Sequence, residues 1–165
     1  MSMPTSPASV EVRHANPGDV AIILTFIRAL ADYEKLSDAC IATEDDLRIH
    51  LFGPRPAAEV LIANLDNRPV GFALYFQTFS TFLARPGIYL EDVFVLPDAR
   101  SRGVGKALLK AVAGVAVQRK CGRLEWAVLD WNDPAIGFYK KLGAIPLDDW
   151  TTYRVTGDTL HSLAH

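Results

Sequence analysis

Ile88-Tyr89-Leu90-Glu91-Asp92-Val93-Phe94-Val95-Leu96-Pro97-Asp98-Ala99-Arg100-Ser101-Arg102-Gly103-Val104-Gly105-Lys106 is the stretch from which the rest of the chain can be read. Residues 88–96 form a β-rich run stopped by Pro97-Asp98. The glycine-punctuated segment 100–105 then leads directly into a helical pattern, with Val104, Leu108, Ala111, Val112 and Val115 on one face. A loop between a strand end and a helix start holds unpaired backbone N–H groups at the positive end of the helix dipole, an arrangement that favours an anion. Glycines let a ligand come close to the backbone, and Arg100, Arg102 and Lys106 add positive charge around it. Phosphate is the natural guest; a tight turn with solvated basic residues is the plainer alternative.

Two common phosphate loops fail on spacing. A Walker A loop ending at Gly105-Lys106 needs glycine at position 100 and a hydroxyl at 107, where Arg100 and Ala107 stand. A dinucleotide fingerprint starting at Gly103 needs Gly or Ala at position 108, where Leu108 stands, and the opening strand-helix-strand unit is missing.

Outward from this stretch the chain divides into regular elements. Val10-Glu11-Val12-Arg13 alternates like a short strand, and Asn16-Pro17 supplies an N-cap with proline at the first helical position. Val20, Ile23, Leu24, Ile27 and Leu30 then share one helical face, to about Tyr33, and Thr43 opens a second helix reaching about Phe52. Residues 59–65 and 70–79 read as antiparallel strands joined by a turn at Asp66-Asn67-Arg68-Pro69. Residues 124–130 read as another strand. Asn132-Asp133-Pro134 caps a helix that stops at Gly143 with Lys140 and Lys141 in its last turn, and residues 151–156 are expected to close the sheet as a final strand. The resulting class is α/β, with helices flanking a mixed sheet.

Composition narrows the function. At 165 residues, half of them apolar, the chain is sized for one compact domain, read as residues 10–165 after a flexible leader over residues 1–9. A net charge of −2 without a basic patch argues against nucleic acid, and no apolar run approaches the ~20 residues of a membrane span, so the cytoplasm is the expected location. Cys40 and Cys121 lack metal-ligand spacing, and His14, His50, His161 and His165 are scattered, so neither a metal nor a hydrolase triad is expected.

Glu91 and Asp92 are the anomalous residues, two carboxylates inside an apolar strand where burial without partners is costly. Strict alternation puts Glu91 with Tyr89 and Val93 on one face, and Asp92 with Leu90 and Phe94 on the other, unless a bulge intervenes. Nearby arginines or lysines could answer both charges. Tyr139 falls on an apolar stripe with Ala135, Phe138 and Leu142, so core packing is one role open to it.

The pattern Arg100-Ser101-Arg102-Gly103-Val104-Gly105 resembles the coenzyme A loop of the GNAT superfamily of N-acetyltransferases. Tyr89-Leu90-Glu91-Asp92 before it, with Trp131-Asn132 and Phe138-Tyr139-Lys140-Lys141-Leu142-Gly143 after it, resemble the diamine acetyltransferase branch, which contains spermidine/spermine and thialysine acetyltransferases. Leu30-Ala31-Asp32-Tyr33-Glu34-Lys35-Leu36 extends the likeness toward the N-terminus, and Ala127-Val128-Leu129-Asp130-Trp131-Asn132 is similar to the thialysine type.

This resemblance implies a mostly antiparallel mixed sheet splayed at its fourth strand. It implies acetyl-CoA as co-substrate, transferred directly to a primary amine of a small cationic acceptor: a polyamine, a diamine or a thialysine-like amino acid. On the donor side it implies Val93, Phe94, Val95, Arg100, Ser101, Arg102, Gly103, Val104, Gly105, Lys106, Asn132 and Pro134, with a strand bulge freeing backbone groups of Val93 and Val95 for the pantetheine arm. It implies Tyr139 as general acid for the departing thiolate and Glu91 as a relay for the amine's proton. On the acceptor side it implies Tyr33, Glu34, Glu91, Asp92, Glu125, Trp126 and Ala127, with Asp148, Asp149 and Trp150 as an acidic, aromatic wall suited to an ammonium. A homodimer is expected on the same ground. A protein lysine or N-terminus as acceptor, and a non-catalytic CoA-binding sensor, are the rival readings.

Overall fold

The computed structural model describes residues 9–165, so the expected leader, apart from Ser9, lies outside the described residues. They form two compact units, one ending at Ala127 and the other spanning Val128–His165.

The first unit is built on a five-stranded sheet in the order β1 (Val10–His14), β2 (Glu59–Leu65), β3 (Arg68–Ser80), β4 (Arg85–Val95), β5 (Leu124–Trp126). The first four strands pair antiparallel in sequence order and β5 lies parallel to β4. β2 and β3 are joined by Asp66-Asn67, both at positive φ, which suits a two-residue hairpin turn and lets Arg68 already belong to the strand.

Helix α1 (Val20–Tyr33) is entered through a 3-10 turn over Pro17–Asp19, one turn later than the Asn16-Pro17 signal suggests. Asn16 caps that turn, and the Asp19 carboxylate accepts from both Arg13 guanidinium nitrogens at 2.7 and 2.8 Å, tying β1 to the helix start. The Arg13 bonds lower the Asp19 pKa below the ordinary carboxylate value. Thr43 and Asp46 form a reciprocal capping box on α2 (Glu44–Phe52).

On one sheet face Ile23, Leu24 and Phe26 of α1 and Leu47 and Leu51 of α2 pack on Val60, Ile62, Phe72 and Phe94. The Phe26 ring stacks on Phe72 with centroids 5.8 Å apart. Alternation turns Leu61, Ala63, Ala73 and Tyr75 to the opposite face, where α3 (Val104–Gln118) lies across β1 to β4 and buries Val104, Leu108, Leu109, Val112 and Ala116. Arg119, at the end of α3, pairs through both terminal nitrogens with the Glu59 carboxylate at 2.7 Å each and holds the helix end to the start of β2.

Two expectations are corrected. The strand expected over residues 124–130 ends at Trp126, because its partner segment in β4, Ile88 to Leu90, is followed at once by a bulge that carries β4 out of register. Residues 151–156 adopt no strand: their side chains are all exposed and no strand among the described residues pairs with them, so β-branched composition has no ladder to act through.

The second unit contains α4 (Asp133–Lys141), capped by Asn132 and followed by Gly143 at φ +88°, as the start and stop signals indicate. It ends in α5 (Gly157–Leu163), which the sequence reading left unassigned. No helix among the described residues is long and apolar enough to cross a membrane.

Candidate active site

The site in the first unit begins with the β4 bulge. Leu74 pairs with Asp92 but the next residue, Tyr75, pairs with Leu90, so Glu91 is an extra residue without a partner on β3. Alternation is thereby reset: Tyr89, Asp92 and Phe94 share the α1 face, while Leu90, Val93 and Val95 share the α3 face. The bulge that the resemblance implies is thus present, and it joins on one face Tyr89 and Asp92, which strict alternation would separate.

Beyond Leu90 nothing among the described residues pairs with β4 on its β5 side. The Leu96 N–H donates to the Val70 carbonyl at 2.8 Å, making these two a hydrogen-bonded pair. In an antiparallel ladder such pairs alternate with ones whose N–H and C=O groups point away from the partner strand, so the backbone groups of Val93 and Val95 face the open edge. Phe94, between them, sends its ring into the core against Phe26, with centroids 6.4 Å apart.

The loop after β4 meets this edge. Ser101 and Gly103 have φ of +62° and +79°, and no side chain caps the helix that Gly103 opens. Successive N–H groups in such left-handed turns form an anion-binding concavity at the helix start. A Cβ added at Gly103 would meet nothing within 4 Å, whereas one at Gly105 would sit 3.8 Å from Val95 Cγ2, so the helix start is open outward and close to the β4 edge. Arg102 and Lys106 are exposed beside it, with no carboxylate within 4 Å among the described residues.

Four acidic side chains gather around the bulge. Burial raises the Asp92 carboxyl to about 6, with Glu91 and Glu34 adding to the effect. Burial also raises the Glu34 pKa. The Tyr89 phenol is raised by burial and by Glu91, Glu125 and Asp92, which places these three carboxylates around it. Tyr89 was not singled out as a site residue; its place in the quoted Tyr89-Leu90-Glu91-Asp92 motif was the available signal. Glu125 is answered by Arg123, at 2.8 Å, but Glu34, Glu91 and Asp92 have no lysine or arginine within 4 Å among the described residues. Tyr33, the last residue of α1, stands next to Glu34.

These features resolve into a donor side, formed by the β4 edge and the start of α3, and an acidic side formed by the end of α1, the bulge and β5. The family model described as "Acetyltransferase (GNAT) family" matches residues 28–144, which include both. The chain belongs to the GNAT acetyltransferase family.

It is therefore an acyl-CoA-dependent N-acetyltransferase. A thialysine N-epsilon-acetyltransferase from Sus scrofa is 41% identical over 168 residues, covering 95% of this chain and 98% of the relative. An L-ornithine N5-acetyltransferase from Arabidopsis thaliana is 32% identical, covering 92% and 86% respectively. Among solved structures, an integron cassette protein from the mobile metagenome of V. cholerae superposes with a TM-score of 0.79 at 30% identity, over 94% of this chain and 98% of the other.

The donor side is compatible with acetyl-CoA, the GNAT co-substrate. An uncapped helix start behind two left-handed residues suits the pyrophosphate, and an outward-facing strand edge suits the amides of the pantetheine arm. The second unit carries the remaining GNAT-pattern residues. Asn132 accepts from the Ala135 N–H, Pro134 lies in the first turn of α4, and Tyr139 is half-buried with its ring 5.8 Å from that of Phe138. Asp148, Asp149 and Trp150 are exposed there, and Ala127 is the last residue of the first unit.

Proposed function

We propose that this enzyme acetylates a primary amine of a small cationic acceptor, a diamine, polyamine or thialysine-like amino acid, by direct transfer from acetyl-CoA. The observation that carries the acceptor class is the gathering of Glu34, Glu91 and Asp92 with no lysine or arginine within 4 Å of them among the described residues. Partly buried carboxylates such as Glu34 and Asp92 are costly when left unpaired, and an ammonium ligand relieves that cost. The names of the relatives support the same class, since one acts on thialysine and one on L-ornithine.

In the proposed reaction acetyl-CoA supplies the thioester carbonyl. Gly103 to Lys106 hold the pyrophosphate, with Ser101 and Arg102 beside them, and the outward groups of Val93 and Val95 align the pantetheine arm. Tyr33, Glu34, Asp92, Glu125 and Trp126 hold the cationic acceptor. Glu91, exposed on the bulge, relays the ammonium proton to water. The neutral nitrogen attacks the carbonyl carbon, the C–N bond forms as the C–S bond breaks, Tyr139 protonates the departing sulfur, and the second proton shed by the acylated nitrogen returns through water to the Tyr139 phenolate. The part given to Tyr139 rests on its match to the family tyrosine.

We also propose a homodimer. In the second unit Ile145, Trp150 and Tyr153 are 80, 79 and 91% exposed, and large apolar side chains left in water are of the kind that a partner covers. The cytoplasm is kept as its working location, to be checked by cell fractionation.

The test is release of free thiol from acetyl-CoA with putrescine-like diamines, polyamines, thialysine, lysine and peptides in parallel. Turnover on the small amines is expected. Tight CoA binding with silence across the panel would favour a sensor, and turnover on peptides alone would move the acceptor to protein.

A further inference from the structure

Arg100 opens the glycine loop, yet none of its contacts among the described residues is acidic. Its Nε–H donates to the Val95 carbonyl at 3.0 Å, and its guanidinium carbon stands 4.9 Å from the centroid of the Tyr33 ring and 5.7 Å from that of Phe94. Each contact belongs to a different part of the site. Tyr33 ends α1 and precedes Glu34, which acts electrostatically on Asp92. Phe94 follows Asp92 by two residues on the same face and packs on Phe26 of α1. The Val95 carbonyl lies on the open edge of β4.

We infer that Arg100 is a positioning residue that fixes the acceptor end of α1 against the donor edge of β4. Its cationic plane lies near two rings, one from each element, and sets where Tyr33 and Glu34 stand relative to Asp92. Its Nε bond holds the Val95 peptide in the orientation that the edge presents. Both tasks need a planar cation with a side-on donor. Lysine offers a charge of the same sign but neither the plane nor the Nε–H. Cation–π contacts of this kind change an equilibrium by roughly two- to thirtyfold, enough to set acceptor affinity without deciding whether the chain folds. The inference rests on the amine-acetylation reading for its functional consequence, and on the three contacts alone for its structural one.

The experiment uses the full chain and Arg100→Lys, Tyr33→Leu and the double variant. Arg100→Lys is expected to raise the acceptor KM about tenfold, with acetyl-CoA affinity, measured by calorimetry, within about twofold of wild type. The double variant should raise the acceptor KM by less than the product of the two single effects, because both changes remove the Arg100–Tyr33 contact. Arg100→Lys should also speed hydrogen-deuterium exchange of residues 30–36 in the free protein, a readout that needs no turnover. A tenfold loss of acetyl-CoA affinity with an unchanged acceptor KM would make Arg100 a phosphate contact and overturn the inference, as would full additivity in the double variant. If wild type acetylates no amine, the functional reading fails, and the exchange rates still decide the contact: unchanged exchange at residues 30–36 would overturn it.

Discussion

Asp92 carries its charge at the expense of stability. Its carboxyl is raised to about 6 in the fold, against an ordinary value near ~4, so between these pH values the folded chain holds a proton that the unfolded chain has lost. The stabilisation tied to that proton is complete below the unfolded value and disappears as pH rises through about 6. Comparing urea denaturation at pH 4 and pH 7.5, wild type should lose about 2–3 kcal/mol relative to Asp92→Asn, which has no such proton to release. The same variant should raise the acceptor KM about tenfold or more, since it removes the least exposed charge facing the ammonium. Equal pH dependence of stability in the two proteins would mean that Asp92 is not strained by its surroundings. For Tyr139, replacement by Phe should lower kcat on the order of a hundredfold while acetyl-CoA affinity stays within about twofold, and an unchanged kcat would remove it from the mechanism.

At the scale of elements, the sequence was most informative where local chemistry decides the outcome. The Thr43 cap of α2, the Asn132 cap of α4 and the turn at Asp66-Asn67 are all written in adjacent residues, and so is the strand-loop-helix of residues 88–118. The bulge was legible as an anomaly, two carboxylates in an apolar run, and through the family resemblance; pairing with β3 was needed to show that Glu91 is the extra residue and that Tyr89 and Asp92 share a face. Nothing local announces that Tyr33, 67 positions before Arg100, lies near its guanidinium. The strand expected at residues 151–156 marks the opposite error, propensity without a partner.

The pairing of β3 with β4 also yields a test. A Cβ at Gly71 would lie 2.5 Å from the Phe94 carbonyl oxygen and 3.3 Å from Val95 Cα, both backbone atoms that cannot swing aside. Gly71→Ala should therefore cost about 1–3 kcal/mol in chemical denaturation and weaken acetyl-CoA binding by displacing the edge at Val93 and Val95. Wild-type stability together with wild-type affinity would show that the edge tolerates the shift and is not the donor surface.

For the whole molecule, the exposed apolar side chains of Val128–His165 are the feature that a lone chain explains least well. Sedimentation at micromolar concentration should give twice the chain mass of 18.1 kDa, and a monomer across the working range would reject the dimer. The central claim concerns the reaction, and the most direct measurement is a competition. Wild-type protein is given acetyl-CoA and an equimolar mixture of a diamine, a polyamine, thialysine, lysine and a lysine-containing peptide, and the acetylated products are counted by mass. The account predicts acetyl groups on the primary amines of the small cationic acceptors, in amounts matching the thiol released. Acetylation of the peptide alone, or thiol release without any acetylated amine, would contradict it.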